Sequence, residues 1–354
     1  MRRPGLAVAA LLLAGAWRPA VAGPNDLNLL HLCDPKTPAP GVLNGMVSEC
    51  GWVRRATGTG LIESITPDAE AESRFRSLMS ELGVLMAPRL SVPAETLGLA
   101  GFQISGEAGT TSISRGEPFW NGVEAVSPDN RLRRPDGWLT TVGLTLRKGL
   151  WLPLPALEVG GGFMHLVDSK MVSWQGYAKL ALHEGFHDWP LPSFAVRGSA
   201  AILTGTDQVR MSIAGLDLLM SKGFGILKTA RLEPFGGWSF LFVRARANPV
   251  DATPSCDAYF ARTATAGQPL GDNCAEAQRG TDNDFAANFA FSPQDVITRH
   301  RFFGGAKLKF ATVFMVAQYA IAPAGRSRDE SKSNGARDGS GKQESLSLSA
   351  GFDF

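Results

Sequence analysis

From about residue 97 to the end of the chain, runs of about ten residues recur in which apolar and polar side chains alternate. Phe102, Ile104 and Ala108 stand against Gln103, Ser105, Glu107 and Gly109, and Trp138, Val142, Leu144 and Leu146 stand against Thr141, Gly143, Thr145 and Arg147. The same period runs through Trp174, Ala178, Leu180 and Leu182 against Gln175, Tyr177, Lys179 and His183. It returns in Phe194, Val196, Ala200 and Ile202 against Arg197, Ser199 and Ala201, and in His300, Phe302, Ala306, Leu308 and Phe310 against Arg299, Arg301, Lys307 and Lys309. A period of two places successive side chains on opposite faces of a strand, so each run predicts a strand with one greasy and one wet face. Runs of about ten residues are long enough for a tilted strand to cross a bilayer.

Ten such strands are predicted, near 97–115, 138–148, 156–167, 172–185, 193–204, 208–220, 223–246, 297–309, 311–322 and 344–354. With an even count, the three long linkers 116–137, 248–296 and 323–343 all fall at one end, and the short turns fall at the other. Pro234 interrupts the longest segment, and a split at Glu233–Gly236 raises the count to twelve, because proline is tolerated in a strand only at edges, ends or bulges.

Residues 23–96 follow another rule. Prolines at 35, 38, 40, 67, 88 and 93 break the segment, and it carries one helix signal near 67–86. Thr66 is the expected N-cap, Pro67 opens the first turn, and Asp68, Glu70 and Glu72 load it with negative charge. Phe75, Leu78, Met79, Leu82 and Leu85 then form one apolar face, so this amphipathic helix has something to cover, inside a barrel or in a small subdomain of its own.

Composition narrows the setting. A net charge of +2 with 19% charged residues gives no reason to expect a nucleic-acid partner or a polybasic anchor. Arg2 and Arg3, the apolar run Leu6–Ala16 and the small residues Ala20 and Ala22 around Val21 read as a signal peptide over residues 1–22. Beyond it no stretch is apolar for long enough to be a membrane helix, so a membrane protein of this sequence has to be a closed barrel. In an exported chain, Cys33 with Cys50 and Cys256 with Cys274 are expected to form two local disulfides; neither pair has the spacing of a metal site.

The last segment sets Leu346, Leu348, Ala350, Phe352 and Phe354 against Ser345, Ser347, Ser349, Gly351 and Asp353, and the chain ends on an aromatic residue. This resembles the C-terminal strand of Gram-negative outer-membrane β-barrel proteins, whose terminal aromatic and alternation act as an assembly signal. The resemblance implies Phe352 and Phe354 as that signal, the barrel-assembly machinery and outer-membrane lipid as partners, and the cell outer membrane as location. The long-chain fatty-acid transporters of the outer membrane are the nearest analogy for the N-terminal appendage, although their Asn-Pro-Ala motif is missing.

His183-Glu184-Gly185-Phe186-His187 matches H-E-x-x-H, which on a helix places two zinc-binding histidines on one face with the glutamate as general base. Here Gly185 lies between the histidines, Pro190 and Pro192 follow, and the residues before it alternate with period two; none of this suits a helix. The match is therefore read as coincidence, with no catalytic residue, metal or cofactor assigned, and a secreted zinc metallopeptidase is kept as the remote alternative.

The expectation is an all-β antiparallel transmembrane barrel of ten to twelve strands over 97–354, with residues 23–96 beneath it or inside its lumen. Arg147, Lys179, His183, Arg197, Arg299, Arg301, Lys307 and Lys309 are the candidate lumen-facing residues, paired with inward carboxylates or forming a positive interior that favours anions. The expected function is a passive pore or transporter for small hydrophobic or anionic solutes, the alternative a non-conducting barrel that displays its external loops.

Overall fold

A computed structural model describes residues 23–33, 35–36, 47–48, 53–56, 62–67, 69–89, 91–123, 135–150, 156–184, 191–226, 229–251, 288–326 and 335–354. The expected signal peptide, Cys50, Cys256, Cys274 and His187 lie outside them, as does the side chain of Cys33.

Ten long antiparallel strands form the body. They are β1 (Phe102–Ser112), β2 (Trp138–Leu150), β3 (Leu157–Leu166), β4 (Val172–His183) and β5 (Ser193–Thr204). The rest are β6 (Val209–Ser221), β7 (Ala230–Ala247), β8 (Ile297–Phe310), β9 (Val313–Ala322) and β10 (Gln343–Asp353). Each strand pairs with the next, and β10 pairs back onto β1, with Leu348 opposite Ala108. Two backbone bonds between Phe102 and Phe354, of 2.9 and 2.8 Å, finish the seam. The result is a closed cylinder in which every strand has two neighbours, the condition a sheet must meet in hydrocarbon.

The count is ten, and β7 runs unbroken through Pro234. That proline sits where the partner on one side changes: residues 235–247 pair with β6, while residues 230–232 pair with the short strand Phe224–Ile226. Lys222 donates its amide to the Pro234 carbonyl at 3.1 Å, and the return bond that proline cannot make falls at this break in the ladder.

The wall alternates as a lipid-facing wall should. Leu144, Leu216, Leu218, Leu308, Met315 and Leu348 point outward and are exposed. Phe102, Phe194, Phe310 and Phe354 ring the short-turn end, and Trp138, Trp174 and Tyr319 stand towards the long-loop end. Aromatic belts at both edges of an apolar band mark the two interfaces of a bilayer.

The interior has two tiers. Near the long-loop end the inward residues are apolar, among them Met164, Leu203, Met211, Ile213, Leu241, Val243 and Ile297, and they form one core with the helix α1 (Ala69–Leu85). Towards the short-turn end buried polar and charged residues share the interior with a second, smaller apolar cluster, in which Leu219, Phe235, Phe303, Phe314 and Val316 gather with Val92 and Ala94. The helix starts at Ala69, two residues later than its sequence signals suggest, and Thr66 pairs with Val53 in a short ladder before it. Nor is one face left to water, since both of its faces are covered. Its apolar face packs on the core, with Phe75 stacked on Phe291 at 4.7 Å and Gly83 so close to β7 that a Cβ there meets Val243 at 2.5 Å. Its polar face is taken up by the long loops: Glu72 accepts from the Ser292 amide at 2.7 Å, and Glu81 accepts from the Ser114 amide at 2.9 Å and the Trp120 indole at 2.7 Å.

Leu348→Arg puts a cation on the outward middle of the closing strand and is expected to cost about 2–4 kcal/mol of unfolding free energy. The inward neighbour Ser347→Ala is expected to cost far less. Urea titration of protein refolded into vesicles, followed by tryptophan fluorescence, measures both.

Candidate functional site: the filled lumen

After α1 the chain descends the barrel. Residues 86–97 (Met-Ala-Pro-Arg-Leu-Ser-Val-Pro-Ala-Glu-Thr-Leu) carry two prolines, so this stretch offers more carbonyl acceptors than amide donors. The wall around it supplies the donors. Ser173 bonds the Met86 carbonyl at 2.9 Å, Arg301 the Pro88 carbonyl at 2.9 Å, and Arg197 the Arg89 carbonyl at 3.0 Å. Lys179 bonds the Pro93 and Glu95 carbonyls at 2.9 and 2.8 Å. Three amides of the segment are met by the wall as well: Ala94 by Ser221 at 3.1 Å, Thr96 by Glu184 at 2.7 Å, and Leu97 by Glu158 at 3.2 Å. A backbone outside regular secondary structure thus takes five carbonyl and three amide hydrogen bonds from side chains of the wall.

The charges that remain are paired. Glu158 lies between Arg147 at 3.4 Å and Lys179 at 3.2 Å and accepts from the Tyr177 hydroxyl at 2.9 Å. Arg197 meets Asp217 at 2.8 Å and also lies over the Tyr177 ring. At the short-turn mouth, Lys307 and Lys309 share Asp353 at 3.0 and 3.1 Å, and Arg231 pairs with Glu95. Arg89 belongs to the threading segment: it donates to Thr141, faces Glu107, and fits because Gly109 has no Cβ to meet its guanidinium.

Little space is left. A void of about 20 Å³ between Arg89, Glu107, Arg147, Tyr177 and Arg197 has room for a single water. A larger cavity of about 210 Å³, among Glu95, Thr96, Arg231, Lys307, Lys309 and Asp353, opens at the short-turn mouth and ends against the segment.

Seven of the eight residues singled out by alternation sit on inward positions: Arg147, Lys179, Arg197, Arg299, Arg301 and Lys307 are buried, and Lys309 is half-exposed at the mouth. Arg299 works in the upper tier, where it donates to Ser80 at 2.9 Å, Ser340 at 2.6 Å and the Pro323 carbonyl at 2.8 Å. His183 departs from the row. A register shift between Ala181 and His183 sets it opposite Phe194, whose ring is on the outer face, so one extra residue in β4 carries the histidine out of the inward series. It therefore ends a strand, and Glu184 just beyond accepts from both the amide and the hydroxyl of Thr96. Alternation could not identify residues 88–97 as lining the site, because their roles lie in main-chain carbonyls. Their signal was the pair Pro88 and Pro93 between a helix and the first strand.

No protein-family model matches this sequence, and no match is found among curated proteins. Among solved structures, Ail, the attachment invasion locus protein of Yersinia pestis, is 10% identical; the match covers 72% of this chain and 99% of that one, with a TM-score of 0.24. OmpT of Vibrio cholerae is 9% identical over 61% of each chain, with a TM-score of 0.24. Neisserial surface protein A is 11% identical over 71% of this chain and 95% of its own, with a TM-score of 0.23. At such identities and scores nothing about activity follows, and the assignment of fold stands on the strand pairing itself. Ten antiparallel strands closed first to last, apolar outside and belted with aromatics, make the chain a transmembrane β-barrel.

Glu158→Gln leaves Arg147 and Lys179 buried without their carboxylate. It is expected to destabilise the barrel by about 3–5 kcal/mol and to lower the temperature at which the folded band disappears in heat-modifiable gel migration.

Proposed function

We propose that the protein is a barrel filled by its own N-terminal segment, which presents its long-loop face outside the cell and does not conduct solutes passively. One observation carries this reading: residues 86–97 run the depth of the polar tier, held at the Met86, Pro88, Arg89, Pro93 and Glu95 carbonyls by Ser173, Arg301, Arg197 and Lys179. The lumen cations that could have selected anions spend their hydrogen bonds on this chain and on inward carboxylates. A pore or transporter needs the segment to leave, with loss of all of these bonds together.

The path of the chain supports display. In barrels of this type the long loops face the exterior. The Asn25 amide bonds the Asp168 carbonyl at 3.0 Å, Leu27 bridges to Val123, and the Leu29 amide bonds Gln208 at 2.5 Å; all three partners lie in loops at the long-loop end. Residues 25–29 thus lie at the long-loop face, while the segment after α1 threads the lumen and enters β1 at the other mouth.

The full chain in planar bilayers is expected to give a closed baseline, and Lys179→Ala/Arg197→Ala/Arg301→Ala, which removes three of the hands on the segment, is expected to give openings. A steady large current from the unaltered protein sinks the reading. An epitope inserted after Pro24 is expected to be stained on intact cells; staining only after permeabilisation removes the display.

A further inference from the structure

The outer wall carries a feature that neither the filled lumen nor loop display uses. On β7 the outward row reads Trp238, Phe240, Phe242, Arg244, Arg246 from mid-wall towards the long-loop end. On β6, Arg210 stands directly opposite Arg246, and Ser212 opposite Arg244. All three arginines are exposed, and none makes a hydrogen bond or ion pair with a described residue. Two like charges facing each other across a ladder repel, and a third lies one step below on the same face. Directly beneath, Phe240 packs edge-on to Phe242 at 4.6 Å, and Trp238 stacks on His300 at 5.6 Å and donates to its Nδ1 at 3.2 Å. The boundary between greasy and charged outward residues thus falls between Phe242 and Arg244, at the height where the hydrocarbon of the outer leaflet gives way to headgroups.

We propose that Arg210, Arg244 and Arg246 form a binding site for the phosphate monoesters of an outer-leaflet glycolipid, whose acyl chains lie along Phe242, Phe240 and Trp238. The chemistry is complementary at both levels. Guanidinium forks bind phosphate with charge-assisted bonds, and a doubly charged monoester relieves the repulsion of the Arg210–Arg246 pair. The aromatic column offers acyl chains a flat apolar track at the depth where such a lipid carries them. The site rests on the wall being embedded with its long loops outward, and it is independent of whether the lumen conducts, so silence or current in a bilayer leaves it standing.

The test uses the full folded chain in detergent micelles doped with diphosphoryl lipid A or with the same lipid after phosphatase treatment, with binding read by native mass spectrometry. Binding of the phosphorylated lipid is expected to be about tenfold or more tighter than binding of the treated one. Arg210→Gln/Arg244→Gln/Arg246→Gln is expected to abolish that preference, Arg246→Gln alone to weaken it, and Lys148→Gln, the loss of one charge near the other rim, to keep it. Equal binding of the two lipids by the unaltered protein overturns the proposal without need of any variant. So does an equal loss in Lys148→Gln, tighter binding of phosphatidylglycerol, or displacement of the lipid by millimolar inorganic phosphate, which would mark a free-anion site.

Discussion

A peptide amide in hydrocarbon has no water to bond, and this one constraint orders the rest of the molecule. It forces β1 to meet β10, because any open edge in the lipid leaves a row of unpaired donors and acceptors. Closure then decides what each residue faces: odd and even positions become lipid and lumen all the way round. That is why a single extra residue near His183 is enough to move its side chain from one environment to the other.

Closure also creates a second problem. A barrel of eight strands fills with its own side chains, whereas one of ten leaves a space wide enough for a further chain. This protein solves it twice with different chemistry. The upper tier is packed as in a water-soluble protein, with α1 buried among Met211, Ile213, Val243 and Ile297. The lower tier adds hydrogen bonds to a smaller apolar cluster around Phe235, Phe303 and Phe314, an extended proline-bearing segment lending carbonyls to arginine and lysine. Neither half is stable alone: the buried cations need the carbonyls, and an irregular backbone in that space needs the donors. Replacing either partner with an apolar residue strands the other.

Most of the wall was legible in the sequence, because alternation reports directly which face meets lipid; all but two strands start within two residues of where the period of two placed them, the exceptions being β1, which starts at Phe102, and β7, which starts at Ala230. The inward basic residues were legible for the same reason. Three things were not. His183 was misplaced because a bulge carries no signature in composition. The apolar upper tier was hidden, because the inward Val209, Met211 and Ile213 of β6 are as apolar as the outward Leu216 and Leu218 further along the same strand, so apolar character alone does not tell lumen from lipid there. The role of residues 88–97 was out of reach of side-chain patterns altogether, since it is the main chain that is gripped.

The order of the chain says how such an arrangement can arise. The threading segment precedes β1, and the barrel is complete only when β10, the last strand made, finds β1. The segment is flanked by α1 and the long-loop contacts at one mouth and by β1 at the other, so it cannot slide in once the cylinder has closed without drawing α1 and everything before it through the lower tier, which holds a single extended chain. Filling and closure therefore belong to a single event, in which the sheet curls around the segment while Arg197, Lys179 and Arg301 gather its carbonyls. On this view the buried cations do their work during folding: they make the open sheet prefer the threaded chain to water, and the strand ending in Phe352 and Phe354 locks the result.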